Sequence, residues 1–420
     1  MDKTYICIDL KSFFASVEAV ERGLDPFKAN LAVADPSRGG GAICLAVTPA
    51  LKKLGVKNRC RIFEIPKNIK YITAMPRMKL YMQKSAEIYG IYLRYAAPED
   101  IHVYSIDECF IDISPYLNTY NKTPREFAKM LMDAVIKETG IPAAAGIGTN
   151  LFLAKTALDI TAKHAKDNIG YLDAEEFKRT LWHHRPITDF WNVGRGIAER
   201  LKKYGIYDMY DAAHANEDTL YKEFGVNAEF LIDHSKGIEP CTIEDIHNYK
   251  SKSRSISSGQ ILFEDYSSED GLLILKEMAD VLVLELIEKN MMTNSISLYI
   301  GYSKNIHAPA GGTKKLSRYT NSYREIVKEF EKLYAEKISK DYLIRKLTIS
   351  LNDIKSEDMT AVQLDMFSNP EMSKKEYNLQ KAVISIKKKF GKNAVLRGMS
   401  LEKKASAKIR NKLIGGHNGE

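Results

Sequence analysis

Cysteines and long apolar runs are scarce in this 420-residue chain, and each scarcity excludes a class of protein. The five cysteines are odd in number, widely spaced and without a C-x-x-C pair. They argue against a zinc site or a disulfide framework and favour free thiols in a reducing compartment. No stretch reaches the roughly 18 consecutive apolar residues of a membrane span, and the apolar start Tyr5–Ile8 is too short for a signal peptide. We therefore expect a cytoplasmic protein with no membrane partner.

Positive charge is present but unevenly placed, within a formal net charge of +8. Between Lys374 and Lys412 there are 13 Lys/Arg and 2 acidic residues. The segments Lys250–Gly259 and Ser303–Arg318 together contain seven Lys/Arg and no acid. Such segments fit contact with the phosphates of a nucleic acid. For the C-terminal run, the alternative is a solvated tail that aids solubility.

Hydrophobic periodicity predicts two α+β units joined through a helical segment. In the first 170 residues, strands are predicted at Thr4–Asp9, His102–Ile113 and Ala143–Gly148, and helices at Ser12–Arg22, Pro49–Leu54, Met78–Ala96, Pro124–Lys137 and Leu151–Lys163. Helices are then expected over Asp173–Gly237, and Cys241–Ser251 is a polar connector. In the second unit, strands are predicted at Arg254–Phe263, Ser295–Ser303 and Leu343–Asn352, and helices at Ser267–Lys289 and Ser322–Ile338.

Three carboxylates stand where charge is normally excluded. Asp9 ends an apolar strand, and Asp107 and Glu108 lie inside the strand-like run Val103–Ile113. Unpaired charges there cost several kcal/mol, so the trio calls for a counter-charge such as two Mg²⁺ ions, which support in-line phosphoryl displacement. Neighbouring strand residues point to opposite faces, so Asp107 and Glu108 share a site only if a turn or bulge redirects one. On spacing alone, surface or lysine-paired carboxylates are an equal alternative.

Two motifs resemble those of a known family. The run Cys7-Ile8-Asp9-Leu10-Lys11-Ser12-Phe13-Phe14-Ala15-Ser16-Val17-Glu18 resembles the opening motif of Y-family (UmuC/ImpB-like) DNA polymerases. The run Tyr104-Ser105-Ile106-Asp107-Glu108-Cys109-Phe110-Ile111-Asp112 resembles the second catalytic motif of that family. Weaker similarity, typical of Gram-positive members, extends over most of the chain. The resemblance implies a low-fidelity, template-directed DNA polymerase for translesion synthesis.

The family also implies an architecture, namely an α+β right-hand polymerase with a separate α+β little-finger domain. We assign residues 1–25 and 77–170 to a palm with an antiparallel or mixed sheet, 26–76 to small fingers, 171–240 to a helical thumb with a helix-hairpin-helix, 241–253 to a linker, 254–356 to the DNA-gripping little finger, and 357–420 to a clamp-binding peptide and basic tail. Small fingers leave little protein to close over the nascent base pair. We therefore expect low fidelity and tolerance of damaged templates.

By the same resemblance, the carboxylates hold two Mg²⁺ ions, with Mn²⁺ as an alternative. Asp9 and Asp107 would bind both ions. Glu108 would hold the ion that activates the primer 3′-hydroxyl, and the backbone carbonyl of Leu10 would complete the nucleotide-side ion. Phe14 matches the steric-gate aromatic that rejects ribonucleotides, although an aromatic at this helical position is otherwise more often a core residue.

Basic residues at matching places are candidate contacts for the triphosphate. Lys52 and Lys163 fall where the family binds it, and Lys155 is a further basic candidate. Thr48 lies in the segment where the family often has a phosphate-contacting tyrosine, which this chain lacks. For each lysine, a solvated position is an equal alternative.

Asn192–Leu201 resembles the hairpin of a helix-hairpin-helix, whose glycines allow backbone amides to approach a phosphate. An ordinary turn between helices is the alternative. The candidate DNA contacts are Gly194, Arg195 and Gly196 in this hairpin, and Lys252, Arg254, Lys314 and Lys315 in the basic segments.

The run Gln363-Leu364-Asp365-Met366-Phe367 resembles the short peptide that docks bacterial polymerases on the sliding clamp. Leu364, Met366 and Phe367 would be the apolar anchors. The expected partners are therefore primer-template DNA, a dNTP and the bacterial sliding clamp, with the chain a monomer.

Two rival functions are compatible with parts of this sequence. A nucleotide cyclase with a similar palm would not need the thumb glycines, the second basic unit or a clamp peptide, and primer extension with Mg²⁺ and a dNTP distinguishes it. A catalytically silent DNA-binding protein would not need all three carboxylates. It would gain support if Asp9→Ala or Glu108→Ala left every phenotype intact.

Overall fold

The fold is taken from a computed structural model that describes residues 3–251, 254–359 and 370–419. The chain divides into two compact units, the first made of residues up to Tyr249 together with Gly419 and the second spanning Lys250–Asn418. Each unit combines helices with its own sheet. The predicted α+β class is therefore confirmed.

The first unit contains a five-stranded and a three-stranded sheet. Its strands are β1 (Tyr5–Leu10), β2 (Leu31–Val33), β3 (Ala46–Val47), β4 (Ile72–Ala74), β5 (Ile101–Val103), β6 (Glu108–Asp112), β7 (Ala143–Gly148) and β8 (Ile169–Leu172). The larger sheet has the order β5-β6-β1-β7-β8 and is antiparallel except for the β7–β8 pair. The smaller sheet, β3-β2-β4, lies in the predicted fingers. Strand β8 was not predicted, because four residues are too few to show a clear period.

Twelve α-helices belong to the described part of the first unit. They are α1 (Phe13–Val20), α2 (Pro49–Lys53), α3 (Met78–Tyr92), α4 (Leu117–Tyr120), α5 (Pro124–Thr139), α6 (Leu151–Thr156), α7 (Ala174–Leu181), α8 (Arg195–Lys202), α9 (Met209–Ala213), α10 (Glu217–Phe224), α11 (Ala228–Ser235) and α12 (Ile243–Asn248). Local signals fix the ends of α5, where Thr123 and Glu126 form a capping box and Gly140 ends the helix at φ 68°. Helix α6 continues into a π-helical turn at Ala157–Thr161.

Side chains alternate along β1 and separate two layers of the palm. Ile6 and Ile8 point into the main core with residues of α3 and α5. Cys7 points to the opposite face, where α6 packs. A Cβ on Gly146 or Gly148 of β7 would overlap the backbone of α6, so these two glycines let the helix lie directly on the sheet. Asp9 is on the α6 side of β1, two residues after Cys7.

Helices α7–α11 form the thumb around a core that they share with α6, and Phe177, Leu201 and Leu220 are fully buried in it. The segment predicted as a linker, residues 241–253, contains a helix. Its residues 243–248 form α12, and Ile243 is buried against Tyr5 and the palm sheet. The polar character of this segment concealed the one apolar face that it presents to the palm.

The second unit is a four-stranded antiparallel sheet with two helices on one face. Its elements are β9 (Ile256–Tyr266), α13 (Ser268–Glu288), β10 (Met291–Tyr302), β11 (Ala310–Thr320), α14 (Tyr323–Lys337), β12 (Ile344–Asn352), β13 (Lys355–Ser356), α15 (Pro370–Phe390), α16 (Ala407–Arg410), β14 (Leu413–Ile414) and β15 (His417–Asn418). The sheet order is β11-β10-β12-β9, with α13 and α14 packed on its apolar side. Strand β11 was not predicted, because Gly and Lys are weak strand formers.

The basic C-terminal segment is folded within the second unit. Helix α15 packs beside α13. Further along, Arg397 pairs with Asp280 of α13 at 2.5 Å, and buried Glu277 accepts hydrogen bonds from the backbone amides of Ser406 (2.9 Å) and Ala407 (3.0 Å). Two acids of α13 thus contact this segment, Asp280 through a basic side chain and Glu277 through backbone amides. The basic segment is therefore folded, and most of its lysines are exposed.

Candidate active site

The palm sheet brings Asp9 and Glu108 together across two neighbouring strands. The antiparallel register of β1 and β6 makes Asp9 the direct partner of Glu108. One residue further, the amide of Leu10 donates to the carbonyl of Asp107 at 2.9 Å. Cross-strand partners lie about 5 Å apart at their Cα atoms. All three acidic residues therefore border the same strand ends.

A turn redirects Asp107 relative to Glu108. The predicted continuous strand His102–Ile113 is wrong, because β5 ends at Val103 and β6 begins at Glu108. Within the turn, the amides of Tyr104 and Ser105 both donate to the carbonyl of Glu108 at 3.0 Å. The Ser105 hydroxyl donates to Asp107 Oδ1 at 2.6 Å. The turn thus frees Asp107 from the strict alternation of the strand.

Lys155 is the immediate counter-charge of Glu108. Its Nζ lies 2.7 Å from Glu108 Oε1 and 2.9 Å from Asp159 Oδ1, and the Cys7 thiol donates to Glu108 at 3.1 Å. Burial alone would lower the pKa of Lys155, but the charges of Glu108, Cys7 and Asp159 together outweigh burial and raise the pKa. The close approach of α6 permitted by Gly146 is what brings this lysine to the carboxylates.

Asp9 experiences strong negative potential. Burial, followed by the charges of Asp107 and Glu108, raises the pKa of Asp9 from 3.8 to about 7, against the opposing influence of Lys155. Among the described residues, no three His, Cys, Asp or Glu side chains converge closely enough to enclose a metal ion unaided. The donor set nevertheless fits a hard divalent cation, because it consists of carboxylate oxygens whose mutual repulsion a cation would relieve.

Further lysines lie near Asp9 and near one another. Burial lowers the pKa of Lys52, with a further decrease from Lys163 and an opposing increase from Asp9. Burial likewise lowers the pKa of Lys11, which also senses Asp9 and Lys52. Of the two lysines predicted from sequence, Lys52 is therefore an electrostatic neighbour of Asp9, and Lys163 is an electrostatic neighbour of Lys52. Lys11 was missed, although its position two residues after Asp9 was a signal.

Thr48 was predicted to be near the triphosphate, but its hydroxyl is bonded to the backbone of the fingers. Its side chain is fully buried at the N-terminus of α2. The hydroxyl donates to the carbonyl of Ala29 at 2.7 Å and accepts from the amide of Leu31 at 3.1 Å. Both bonds support the fingers sheet, so this hydroxyl is engaged in structure rather than directed at a ligand.

Phe13 and Phe14, at the start of α1, differ in burial. Phe13 is buried in the main core, whereas Phe14 is only partly buried and stacks on Tyr81 of α3 at 4.6 Å between ring centroids. Tyr81 in turn donates to buried Glu18 at 2.8 Å. Burial by itself would raise the pKa of Glu18, but hydrogen bonds led by those of Arg77 lower it. The Phe14 ring is thus backed by a fixed polar network.

The thumb hairpin presents open glycines at the start of α8. A Cβ on Gly194 or Gly196 would meet no atom of the chain within 4 Å, and neither glycine has a positive φ. Arg195 between them is exposed. Nothing within the described fold therefore requires glycine at these two positions, so their small size leaves room for an external group.

The predicted DNA contacts Lys314 and Lys315 of the second unit lie on opposite faces of its sheet. Lys315 pairs with Ser295 on the open face of the sheet and is exposed, as is Arg254. Lys314 pairs with buried Ile296 on the helix side, where its Nζ lies 2.7 Å from Glu329 of α14. One step along a strand reverses the face, so Lys314 does not share the surface of Lys315.

Two predictions lie outside the residues that the structure describes. They are Lys252 and the clamp-binding run Gln363, Leu364, Asp365, Met366 and Phe367.

Comparisons with known proteins identify the family of the chain. Residues 8–159 match the impB/mucB/samB family, and residues 253–366 match the C-terminal domain of that family. The UvrX protein of Bacillus subtilis, named for UV-damage repair, is 32% identical over 99% of this chain and 97% of its own length. DNA polymerase IV 2 of Halalkalibacterium halodurans is 30% identical over 99% of this chain and 100% of its own.

A solved structure of a Y-family DNA polymerase chimera superposes with a TM-score of 0.63. It covers 84% of this chain and 99% of its own, at 23% identity, and so supports the fold. A palm sheet with clustered carboxylates, a helical thumb and a separate sheet domain define a nucleotide-polymerising class. The chain belongs to the impB/mucB/samB family, the Y-family translesion DNA polymerases, and is of the Gram-positive type.

The family membership fixes several general properties. The chain is a DNA-directed DNA polymerase, so its substrates are DNA and deoxynucleoside triphosphates, and divalent-metal dependence is general for the family. No helix among the described residues is long and apolar enough to cross a membrane.

Proposed function

We propose that this polymerase adds deoxynucleotides to a primer 3′-hydroxyl, opposite damaged as well as intact templates, by two-metal nucleotidyl transfer at Asp9, Asp107 and Glu108. The observation that carries the proposal is the β1–β6 register, in which Asp9 faces Glu108 while Leu10 bonds to the backbone of Asp107. Mg²⁺ is the expected ion, and Mn²⁺ suits the same oxygen donors.

Each residue of the site then has a defined task. Asp9 and Asp107 would hold both ions, Glu108 would hold the primer-side ion, and the carbonyl of Leu10 would hold the nucleotide-side ion. When bound, the two ions activate the attacking oxygen and stabilise the leaving oxygen. Lys155 keeps Glu108 oriented when no ion is bound, because its 2.7 Å contact offsets the repulsion among the carboxylates.

The lysines near Asp9 bind the triphosphate. Lys52 and Lys163 supply positive charge beside the reacting phosphate, and their mutual proximity is itself unfavourable until an anion arrives. Phe14 fills the volume that a ribose 2′-hydroxyl would need. Its stacking on Tyr81 fixes the ring, so the exclusion of ribonucleotides does not depend on a mobile side chain.

The DNA is held through backbone contacts that do not read sequence. Gly194 and Gly196 allow the amides at the start of α8 to approach a phosphate, with Arg195 beside them. In the little finger, Arg254 and Lys315 are exposed and contribute charge, and Lys252 adds to the same basic segment. Contacts of this kind tolerate distorted templates, because they recognise phosphate rather than base edges.

The polymerase acts as a monomer that the sliding clamp recruits through Gln363–Phe367. Alanine at Leu364 or Phe367 removes an apolar anchor, so we expect a purified bacterial clamp to lose binding in a pull-down. Leu379→Ala is a matched control, because Leu379 is a 65% exposed leucine of α15 outside the peptide. Equal clamp binding by all three variants and the wild type would exclude this docking mode.

Primer extension past an abasic site tests the catalytic proposal. Wild type is expected to extend with Mg²⁺, and Asp107→Ala is expected to lose extension on damaged and undamaged templates alike. Asp112→Asn serves as the control, because Asp112 is an acid at the far end of β6 that bonds to Lys3 and Ser114 instead of the site. Undiminished synthesis by Asp107→Ala would contradict the assignment of the site.

A further inference from the structure

Trp191 of the thumb is bonded to the turn that carries Asp107. Its indole Nε1–H donates to the hydroxyl of Tyr104 at 3.0 Å. The two rings also meet edge to face at 5.8 Å, and Trp191 lies 5.7 Å from the ring of Phe110 in β6. Tyr104 is the first residue of the turn, and its own amide donates to the carbonyl of Glu108. A thumb side chain thus holds the start of the palm turn.

The rear of the Trp191 ring is held by a buried stack. Its ring is nearly parallel to that of His234 at 6.1 Å, and His234 stacks on Phe152 of α6 at 4.1 Å. His234 is fixed by a buried 2.8 Å contact with Glu239. Helix α6 also carries Lys155, so the stack joins the two structural supports of Glu108, the turn and the helix.

We propose that Trp191 is a positioning residue that sets the metal affinity of the carboxylate site by fixing the Tyr104–Asp107 turn. The proposal rests on the proposed function of Asp107 and Glu108 as metal ligands. A partner beyond the ligands that orients them changes metal affinity by about 10-fold to 100-fold when it is removed. Trp191 acts through the hydroxyl of Tyr104 and touches no reacting atom.

The second tryptophan of the chain provides a matched control. Trp182 also belongs to the thumb and donates its indole N–H, in this case to the backbone carbonyl of Ser235 at 2.7 Å. Its ring contacts are with Tyr210 and His214, which are thumb residues. Trp182→Phe therefore removes an indole hydrogen bond of the thumb that does not involve Tyr104.

The test compares Trp191→Phe, Tyr104→Phe and Trp182→Phe in the full chain. Calorimetric titration with Mn²⁺ in the absence of DNA measures metal affinity directly, and primer extension gives the half-saturating Mg²⁺ concentration. We expect roughly 10-fold weaker Mn²⁺ binding and a matching rise in Mg²⁺ requirement for Trp191→Phe and Tyr104→Phe. The double variant should be no weaker than either single variant, because both lose the same bond.

Thermal unfolding accompanies each measurement. Tyr104 is 44% exposed, so Tyr104→Phe retains the fold and keeps the test valid even if Trp191→Phe does not fold. Wild-type metal affinity in Tyr104→Phe, or an equal loss in Trp182→Phe, would overturn the inference. Failure of the proposed function is recognised separately, because Asp107→Ala would then retain both extension and Mn²⁺ binding.

Discussion

Replacing Asp9 with asparagine should stabilise the metal-free protein while it abolishes synthesis. Burial and the charges of Asp107 and Glu108 raise the pKa of Asp9 from 3.8 to about 7. A shift of about 3 units, at 1.36 kcal/mol per unit, corresponds to about 4 kcal/mol of unfavourable interaction in the charged form. This value is an upper limit, because the carboxyl is partly exposed and water screens the charges.

The sign of the pH dependence follows from proton linkage. Because the pKa of Asp9 is raised in the folded protein, its protonation favours folding. That contribution is fully present below pH 3.8 and is lost as the pH rises through about 7. The stability advantage of Asp9→Asn over wild type should therefore be near zero at pH 4 and largest above pH 7.

Urea and thermal unfolding in EDTA between pH 4 and 8.5 measure this difference. Each kcal/mol corresponds to roughly 2–4 °C in Tm for a unit of this size. Added Mg²⁺ should stabilise wild type and not the variant, since binding to the folded state alone raises stability. The control Asp112→Asn should lower stability, because it loses the 2.6 Å ion pair with Lys3. An Asp9→Asn variant no more stable than wild type at pH 8 in EDTA would refute the reasoning.

Three further predictions concern other parts of the chain. Phe14→Ala should raise the ratio of ribonucleotide to deoxynucleotide incorporation in single-nucleotide extension, whereas Phe13→Ala should mainly lower stability, by about 3–5 kcal/mol. Lys315→Gln should weaken DNA binding and reduce its log–log salt slope by about 1 in fluorescence anisotropy, and Lys314→Gln should not, because Lys314 faces α14. Gly146→Ala should reduce both Tm and extension rate, because its Cβ would force α6 off the sheet.

Much of the fold was predictable because local signals agree with tertiary packing. The capping box at Thr123 and Glu126, the proline after Thr123 and Gly140 define α5 without any knowledge of its partners. Segments whose secondary structure depends on residues distant in sequence were less predictable. Strand β11 is set by its pairing with β10, and α12 by the burial of Ile243 against the palm.

In the candidate site, too, features set by local sequence were predictable and features set by distant residues were not. An acid at the end of an apolar strand identifies Asp9 from sequence, because charge there needs an explanation. The turn before Glu108 was not predictable, since it depends on two amides sharing one carbonyl. The opposite faces of Lys314 and Lys315 could have been inferred only after β11 was recognised. Contacts of Lys155 with Glu108 require the three-dimensional approach of α6.

The C-terminal segment packs against α13, and this contact affects how truncated chains should be interpreted. A chain ending before residue 370 would expose Glu277, whose carboxylate now meets the amides of Ser406 and Ala407. It would also leave Asp280 without Arg397. Loss of activity after such a deletion would report damage to the little finger as well as the missing residues, so substitutions rather than deletions are needed to assign roles there.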